Sequence, residues 1–351
     1  MRKTVLVGMS GGVDSSVAAA LLKKEYQVCG VTLKLHDACA PAVEDAQAVC
    51  TRLGIDHYVQ DYSTEFQQFV IDNFISEYLC ARTPNPCVWC NYYIKFGVML
   101  ALADTLGADY IATGHYVTRG VDEQSGEYTL ETAASGAKDQ TYALYRLRQR
   151  QLSRALFPVG ALPKPEVREL ARSLGLNVAE KKDSQEICFI PQNDYAAYIE
   201  ARAGKSQPGP FIGPEGENLG THKGLIHYTV GQRRGLGIAY RERLYVARLD
   251  PVHNAVHLGC EGVQNTQIVY AADATFLSDR PPEKEFDCTA KIRYNGRAAP
   301  AHVSVDGEQL TVHFTEPQRA AAPGQSVVLY DGARVLGGGI IVDKPRRDCL
   351  V

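Results

Sequence analysis

The stretch Gly8-Met9-Ser10-Gly11-Gly12-Val13-Asp14-Ser15-Ser16 constrains this chain more than any other. It follows the apolar run Thr4-Val5-Leu6-Val7 and leads into Val17-Ala18-Ala19-Ala20-Leu21-Leu22, whose Val17/Leu21 and Ala18/Leu22 pairs have helical i,i+4 spacing. The order reads strand, tight glycine turn, helix. Such a turn gathers free backbone N–H groups and the positive end of a helix dipole, and Ser10, Ser15 and Ser16 add hydroxyl donors, so a phosphate fits there. No Lys precedes the serine pair, which excludes G-x-x-x-x-G-K-[ST], and the loop is not G-x-G-x-x-G either. The carboxylate of Asp14 would repel a phosphate unless something bridges them, and magnesium is the expected bridge.

The chain alternates strand and helix up to about residue 204: strands at Gln27–Leu35, Asp56–Gln60 and Ala108–Tyr116, helices at Val43–Leu53, Thr64–Arg82, Tyr92–Leu106 and Lys164–Leu174. That order predicts right-handed βαβ units and a parallel sheet, with ligands at the carboxyl ends of its strands. A polar hairpin is expected over Thr118–Ala133, a helix from Lys138, a short strand at Cys188–Ile190 and a last helix over Asp194–Ala203. Past Gly204, Pro and Gly cluster and the rest alternates in short runs, so two small antiparallel β-rich units are expected, divided near Gln267. The predicted domains are 1–204, 205–266 and 267–351.

The 351 residues are 45% hydrophobic with 22% charged, which is globular, and no apolar run approaches a membrane span. A soluble, cytosolic protein is expected. Net charge is −3, yet Lys138–Lys182 holds ten Lys or Arg against four Asp or Glu, and Leu219–Arg248 six against one. Such segregation is either a solvated face or the footprint of a phosphate-backbone binder.

Ten cysteines in this setting point to catalysis, metal binding or burial rather than a disulfide framework. Cys87 and Cys90 form C-x-x-C without the second ligand pair that structural zinc needs, and without thioredoxin context. A nucleophilic Cys90 at a helix start, its pKa lowered by the dipole, is the favoured reading. Cys188 follows Lys181-Lys182, which would favour a thiolate, although Ile187 and Phe189 beside it also suit plain burial. The other cysteines (29, 39, 50, 80, 260, 288 and 349) read as structural.

The S-G-G-V-D-S-S loop resembles the pyrophosphate-binding loop of N-type ATP pyrophosphatases. Together with T-P-N-P-x-x-x-C-N-x-x-I-K-F, A-T-G-H-Y, K-D-Q-T-Y, K-D-S-Q-E-I-C-F-I, H-Y-T-V-G-Q-R-R-G-L-G and G-G-G-I-I, in collinear order over nearly the whole chain, it resembles the tRNA-specific 2-thiouridylases, the MnmA/TrmU family. The resemblance implies a Rossmann-like parallel-sheet domain of the adenine nucleotide alpha hydrolase type, followed by two β-rich domains, the last a β barrel. It implies ATP-dependent 2-thiolation of the wobble uridine: adenylation of O2, sulfur transfer from a cysteine persulfide, and release of AMP and pyrophosphate.

By the same resemblance, Gly8, Met9, Ser10, Gly11, Gly12, Val13, Asp14 and Ser15 would hold ATP, with the backbone of Leu33 and Gly114 at the adenosine. Asn85, Pro86 and Cys87 would frame the base, and Lys138, Asp139, Gln140, Arg293 and Tyr294 would contact tRNA. Cys90 would serve as nucleophile and acid/base, Cys188 would carry the persulfide, and a transient Cys90–Cys188 disulfide would close the cycle. A sulfur-relay protein or cysteine desulfurase would supply the sulfur. Three departures stand out: a short connection after the second strand, Tyr92 after Asn91, and Cys87 where many relatives have aspartate. With Cys87 present, Cys87, Cys90 and Cys188 could instead ligate a [4Fe-4S] cluster. Two rival readings are an amidating pyrophosphatase, which would need neither Cys90 nor Cys188, and a tRNA-binding protein with a vestigial nucleotide site.

Overall fold

The computed structural model describes residues 2–133, 138–181 and 187–343. Its first sheet carries parallel strands β1 (Thr4–Gly8), β2 (Gln27–Lys34), β3 (Asp56–Asp61) and β4 (Tyr110–Ala112), plus a two-residue strand, Ala155–Leu156, in the order β3-β2-β1-β4-(155–156). Val5, Leu6 and Val7 are fully buried, as expected of a central strand covered on both faces. Strand order reverses between β1 and β4, so a crevice opens beyond their carboxyl ends. Gly8 ends β1, and Gly114 lies just past β4.

Helix α1 (Val13–Leu22) follows β1, and α2 (Ala40–Leu53) follows β2 and stops at Gly54, whose φ of 60° is left-handed. The helical stretch Ser63–Phe66, Gln67–Ile71 and Asp72–Leu79 buries Phe66, Val70, Phe74 and Tyr78 along one face. Phe189 plugs into that face, with ring centroids 5.6 Å from Phe66 and 5.4 Å from Phe74. Edge-on aromatic pairs of this kind contribute about 0.5–1.5 kcal/mol each beyond area burial. They anchor the segment bearing Cys188, which is a turn and not the expected strand: its neighbours pack into helices and leave no strand edge to pair with.

The helix expected from Tyr92 begins at Pro86, because Asn85 caps it by accepting the Cys87 N–H at 3.1 Å and proline suits the first helical position. The only tryptophan, Trp89, therefore sits on this helix. Nor does a helix start at Lys138. Asp139 accepts from the N–H and the hydroxyl of Thr141, and only a single 3-10 turn forms at Thr141–Ala143.

The expected hairpin is present as Val117–Val121 and Tyr128–Thr132, and it meets the last strand of the chain at Glu131–Arg334. Residues 209–259 form a four-stranded sheet. Strands Asn265–Phe276, Glu285–Lys291, Ala299–Asp306, Gln309–Arg319, Ser326–Asp331 and Arg334–Val342 form a barrel, closed where the first pairs with the last at Tyr270–Val342. The expected division near Gln267 falls two residues into the first of these strands. The barrel packs on the α/β domain at Gly338, where a Cβ would stand 2.9 Å from the Tyr145 ring.

Candidate active site

Two groups of residues meet in the crevice. The first is the loop between β1 and α1. Gly11 has φ 65°, and a side chain there would collide with Ala42 O at 2.5 Å, so only glycine fits. The Ser10 N–H donates to Ser15 Oγ at 3.2 Å, and the two hydroxyls lie 3.1 Å apart. Ser10 is exposed. Ser16, expected to face a phosphate, is fully buried and donates to Gly12 O at 2.8 Å, so it braces the first turn of α1 instead.

Asp14 accepts from Lys164 Nζ at 2.7 and 2.8 Å and from the Tyr116 hydroxyl at 2.7 Å. Neither partner was singled out in the sequence. Lys164 opens the helix Lys164–Ser173, and a lysine at a helix start carries no motif of its own. Gly114 closes the loop from the other side, where a Cβ would lie 2.6 Å from both Asp14 C and Ser15 N. Leu33, at the end of β2, is partly buried between two apolar clusters.

The second group is built on the helix beginning at Pro86. Pro86 is buried, Cys87 is exposed, and Cys90 is buried. Burial pushes the Cys90 thiol up to about 12, opposed first by the Lys95 ammonium. This corrects the expectation of a dipole-lowered thiol: the helix starts four residues earlier, so Cys90 lies beyond the first turn, where the dipole fades. Crowding around the Cys87 sulfur raises that thiol too. Cys188 is exposed and close enough to Cys87 and Cys90 to couple electrostatically with both, and all three are free thiols.

The cation beside Cys188 is His36. Its imidazole is pushed up to about 10 by interaction with Cys188 and then Cys39. Lys181, expected to serve there, donates to Gly11 O at 2.9 Å and to Asp45 at 2.6 Å. Lys182 to Glu186 lie outside the described residues. At Cys39 burial raises the thiol, but hydrogen bonds from His36 and from the Leu35 and His36 backbone outweigh that and hold it below the ordinary range.

His115 joins the two groups. It follows Gly114, stacks at a tilt on Phe96 with centroids 5.9 Å apart, and bonds Thr113 at 2.8 Å. Burial, with Lys95 nearby, holds its imidazole well below the ordinary range and therefore neutral. The barrel adds the far wall. Gln325 Nε2 donates to Thr83 O at 2.7 Å, and the Thr83 N–H to Pro323 O at 2.7 Å, fixing the turn before Asn85. Tyr294, 40% exposed, faces Cys87 and Asp139, and Lys291 Nζ stands 5.8 Å from the Tyr142 and Tyr294 rings. Arg293 and Lys138 are exposed. The side chains of Asp139 and Gln140 are turned inward, Gln140 accepting the Tyr116 N–H at 2.9 Å.

Metals fit this cleft poorly. Among the described residues no three His, Cys, Asp or Glu side chains converge on a point. The alternative Cys87/Cys90/Cys188 cluster site is therefore not preassembled among them. Among the described residues magnesium has the Asp14 carboxylate beside the loop, paired with Lys164, and no cage of three such ligands. The basic excess of 138–182 is also largely spent inside the fold, on Asp14, Asp45, Asp104, Asp273 and Asp279. In the central sheet domain, Arg233 and Arg243 instead line an open cavity of about 540 Å³.

Family models match all three parts: a tRNA methyl transferase HUP domain over residues 3–192, a tRNA methyl transferase PRC-barrel domain over 196–260, and an aminomethyltransferase beta-barrel domain over 266–341. The tRNA-specific 2-thiouridylase MnmA of Clostridium acetobutylicum is 46% identical over 97% of this chain and 100% of its own length. The chain belongs to the tRNA-specific 2-thiouridylase family. A second member, MnmA 1 of Caldanaerobacter subterraneus subsp. tengcongensis, is 48% identical over 97% of this chain and 98% of its own. Among solved structures, the U34-tRNA thiolase NcsA of Methanococcus maripaludis, described with its [4Fe-4S] cluster, shares 18% identity, covering 57% of this chain and 67% of that one with a TM-score of 0.37. A likeness that loose carries no weight for this family member's cluster chemistry.

Proposed function

We propose that the chain thiolates the 2-position of the wobble uridine of tRNA, using ATP to adenylate O2 and a persulfide on Cys188 to deliver sulfur, with AMP and pyrophosphate as products. The observation that carries this reading is Gly114-His115. Gly114 abuts the backbone of Asp14 and Ser15, and the next residue shares Lys95 with Cys90. A phosphate-binding loop and a set of free thiols thus share one cleft. Amidating pyrophosphatases have no use for the second half of that arrangement.

In this reading the Ser10–Ser15 loop takes the phosphates through N–H and hydroxyl donors, and Lys164 is released from Asp14 toward the incoming charge. Magnesium enters with ATP as part of that substrate. Adenylation turns the uridine oxygen into a good leaving group. The outer sulfur of the Cys188 persulfide attacks C2 and AMP departs; the Cys90 thiolate then attacks Cys188 Sγ, breaking the S–S bond so that its electron pair leaves with the base sulfur, which gives the thiolated base and a Cys90–Cys188 disulfide. Asn85, Pro86, Cys87 and Tyr294 border the space for a uridine flipped from the anticodon, since its O2 is unreachable in the stack. Exposed Arg293 and Lys138 lie where tRNA phosphates would pass, and the Arg233/Arg243 cavity extends that track. Sulfur would arrive from a persulfide-carrying relay protein or cysteine desulfurase, at the exposed Cys188. No helix among the described residues is long and apolar enough to cross a membrane, consistent with work on cytoplasmic tRNA.

Nucleoside mass spectrometry of bulk tRNA, incubated with the protein, ATP, magnesium, a cysteine desulfurase with cysteine as persulfide source and a thiol reductant to reopen the disulfide, tests the proposal. 2-Thiouridine is expected with the intact chain and not with Cys90→Ala. AMP without thiolated nucleoside would overturn the substrate assignment.

A further inference from the structure

The helix bearing Cys90 is not a regular α-helix. Cys90–Val98 is π-helical, and Met99 N–H donates to Ile94 O five residues back. In an α-helix, side chains five apart point about 140° away from each other around the axis. The i→i+5 pattern widens the turn and brings them toward one face. Cys90 and Lys95 are five apart.

The widened turn is supported in two ways. At Gly97 a Cβ would stand only 3.0 Å from Tyr92 O, so glycine lets the backbone close there. Gln151 Nε2 donates to Phe96 O at 3.1 Å and to Tyr92 O at 3.4 Å, holding carbonyls of that turn from outside the helix. Both features are local, and both act on the residues flanking Lys95.

The result is an ammonium with no carboxylate partner among the described residues, set among Cys87, Cys90 and His115. A lysine on a helix normally reaches solvent or an acid. This one is aimed at groups that gain most from a positive neighbour when they ionise. His115 is held neutral and competes for no anion.

We propose that Lys95 is a positioning residue for the thiolation reaction, placed by the π-helical turn to stabilise the thiolate of buried Cys90. The proposal rests on the functional reading above, in which Cys90 must act as an anion. Burial alone opposes that anion strongly, and Lys95 is the first group that opposes burial. No bond to Lys95 forms or breaks; the Cys90 proton leaves to solvent.

The test is the rate of iodoacetamide alkylation at Cys90, followed by peptide mass spectrometry from pH 7 to 10 in the full chain carrying Cys87→Ser and Cys188→Ser. In this reaction the Cys90 thiolate displaces iodide, and the proton goes to buffer. Lys95→Met should slow alkylation at pH 8 at least about tenfold, one pH unit's displacement of the profile. Lys95→Arg should recover most of it, and ATP affinity should stay unchanged in both. A Lys95→Met rate within about twofold of the parent across the range would overturn the proposal. If Lys95→Met does not fold, as judged by circular dichroism, Lys95→Gln and Gly97→Ala take its place. Gly97→Ala keeps the charge but disturbs the turn, and must also slow Cys90. Should wild-type protein form 2-thiouridine while Lys95 proves irrelevant to alkylation, only this inference falls. Absence of 2-thiouridine from the wild type would instead count against the functional reading.

Discussion

The phosphate loop and the thiol site lie across one cleft and are built on opposite plans. In the loop nearly every polar group is already paired within the fold: Ser15 with Ser10, Ser16 with Gly12 O, Asp14 with Lys164 and Tyr116. Gly11 in the loop and Gly114 beside it are dictated by backbone contacts too close for any side chain. The thiol site has free sulfurs, a cation with no acid among the described residues, and a helix in an uncommon register. One side is rigid and prepared for a ligand of fixed shape. The other holds reactive groups whose charge must change during the reaction, and such groups cannot be tied down by permanent partners.

The largest expected effect is on sulfur transfer. Cys188→Ser should abolish multiple-turnover 2-thiouridine formation, by at least about a thousandfold, while tRNA-dependent AMP release continues. Persistence of thiolation would erase the distinction between the two sides, and nucleoside mass spectrometry beside an AMP assay checks both.

Gly114→Ala should break the loop side, since its Cβ would meet rigid backbone at 2.6 Å rather than a flexible side-chain tip. AMP release should fall about a hundredfold, from displacing the loop costing about 1–3 kcal/mol. Nucleotide affinity by calorimetry should fall with it. Lys164→Met is milder: it strips Asp14 of its cation, and KM for ATP should rise about tenfold with little change in Cys90 alkylation. Equal damage to both readouts would mean that the two sides are not separable.

On the thiol side the pH dependence has a definite sign. With its thiol pushed up to about 12, Cys90 is neutral at physiological pH, so its alkylation should climb about tenfold per pH unit from 7 to 10 without reaching a plateau. Cys39, held below the ordinary range, should level off earlier in the same titration. His36 moves oppositely. Raised toward about 10, it stays an imidazolium through pH 8, and the stability it lends is complete below its unfolded pKa and is lost as pH rises through about 10. Its ring resonances in NMR should titrate late, and earlier in Cys188→Ser. The smallest effect belongs to Gln325→Ala, which removes the barrel's hydrogen bond to Thr83 O and should cost about 0.5–1.5 kcal/mol in chemical denaturation.

The same contrast explains what the sequence made legible. The β1–α1 loop depends on local backbone geometry, and glycine and serine at fixed spacing encode it directly. The parallel sheet, the hairpin and the β-rich tail followed from the spacing of apolar runs. The chemistry of Cys90 did not, because it depends on where the helix begins. Asn85 and Pro86 start it six residues before the expected Tyr92, which places Cys90 beyond the first turn, where it is buried. Lys164, His36 and Lys95 reach their sites across long sequence separations or through a π-helical turn, and neither leaves a period-3.6 signal. Gly97 in mid-helix was the one local hint. The turn at Cys188 is set by Phe189 packing on distant aromatics, information that Cys188-Phe189-Ile190 alone does not hold.

The most direct test of a single shared cleft is a single-turnover count of AMP against 2-thiouridine, with the enzyme preloaded as persulfide and mixed with tRNA and ATP. The account predicts one AMP per 2-thiouridine, and no AMP when tRNA is left out. AMP release at the same rate without tRNA, or thiolation without AMP, would contradict it.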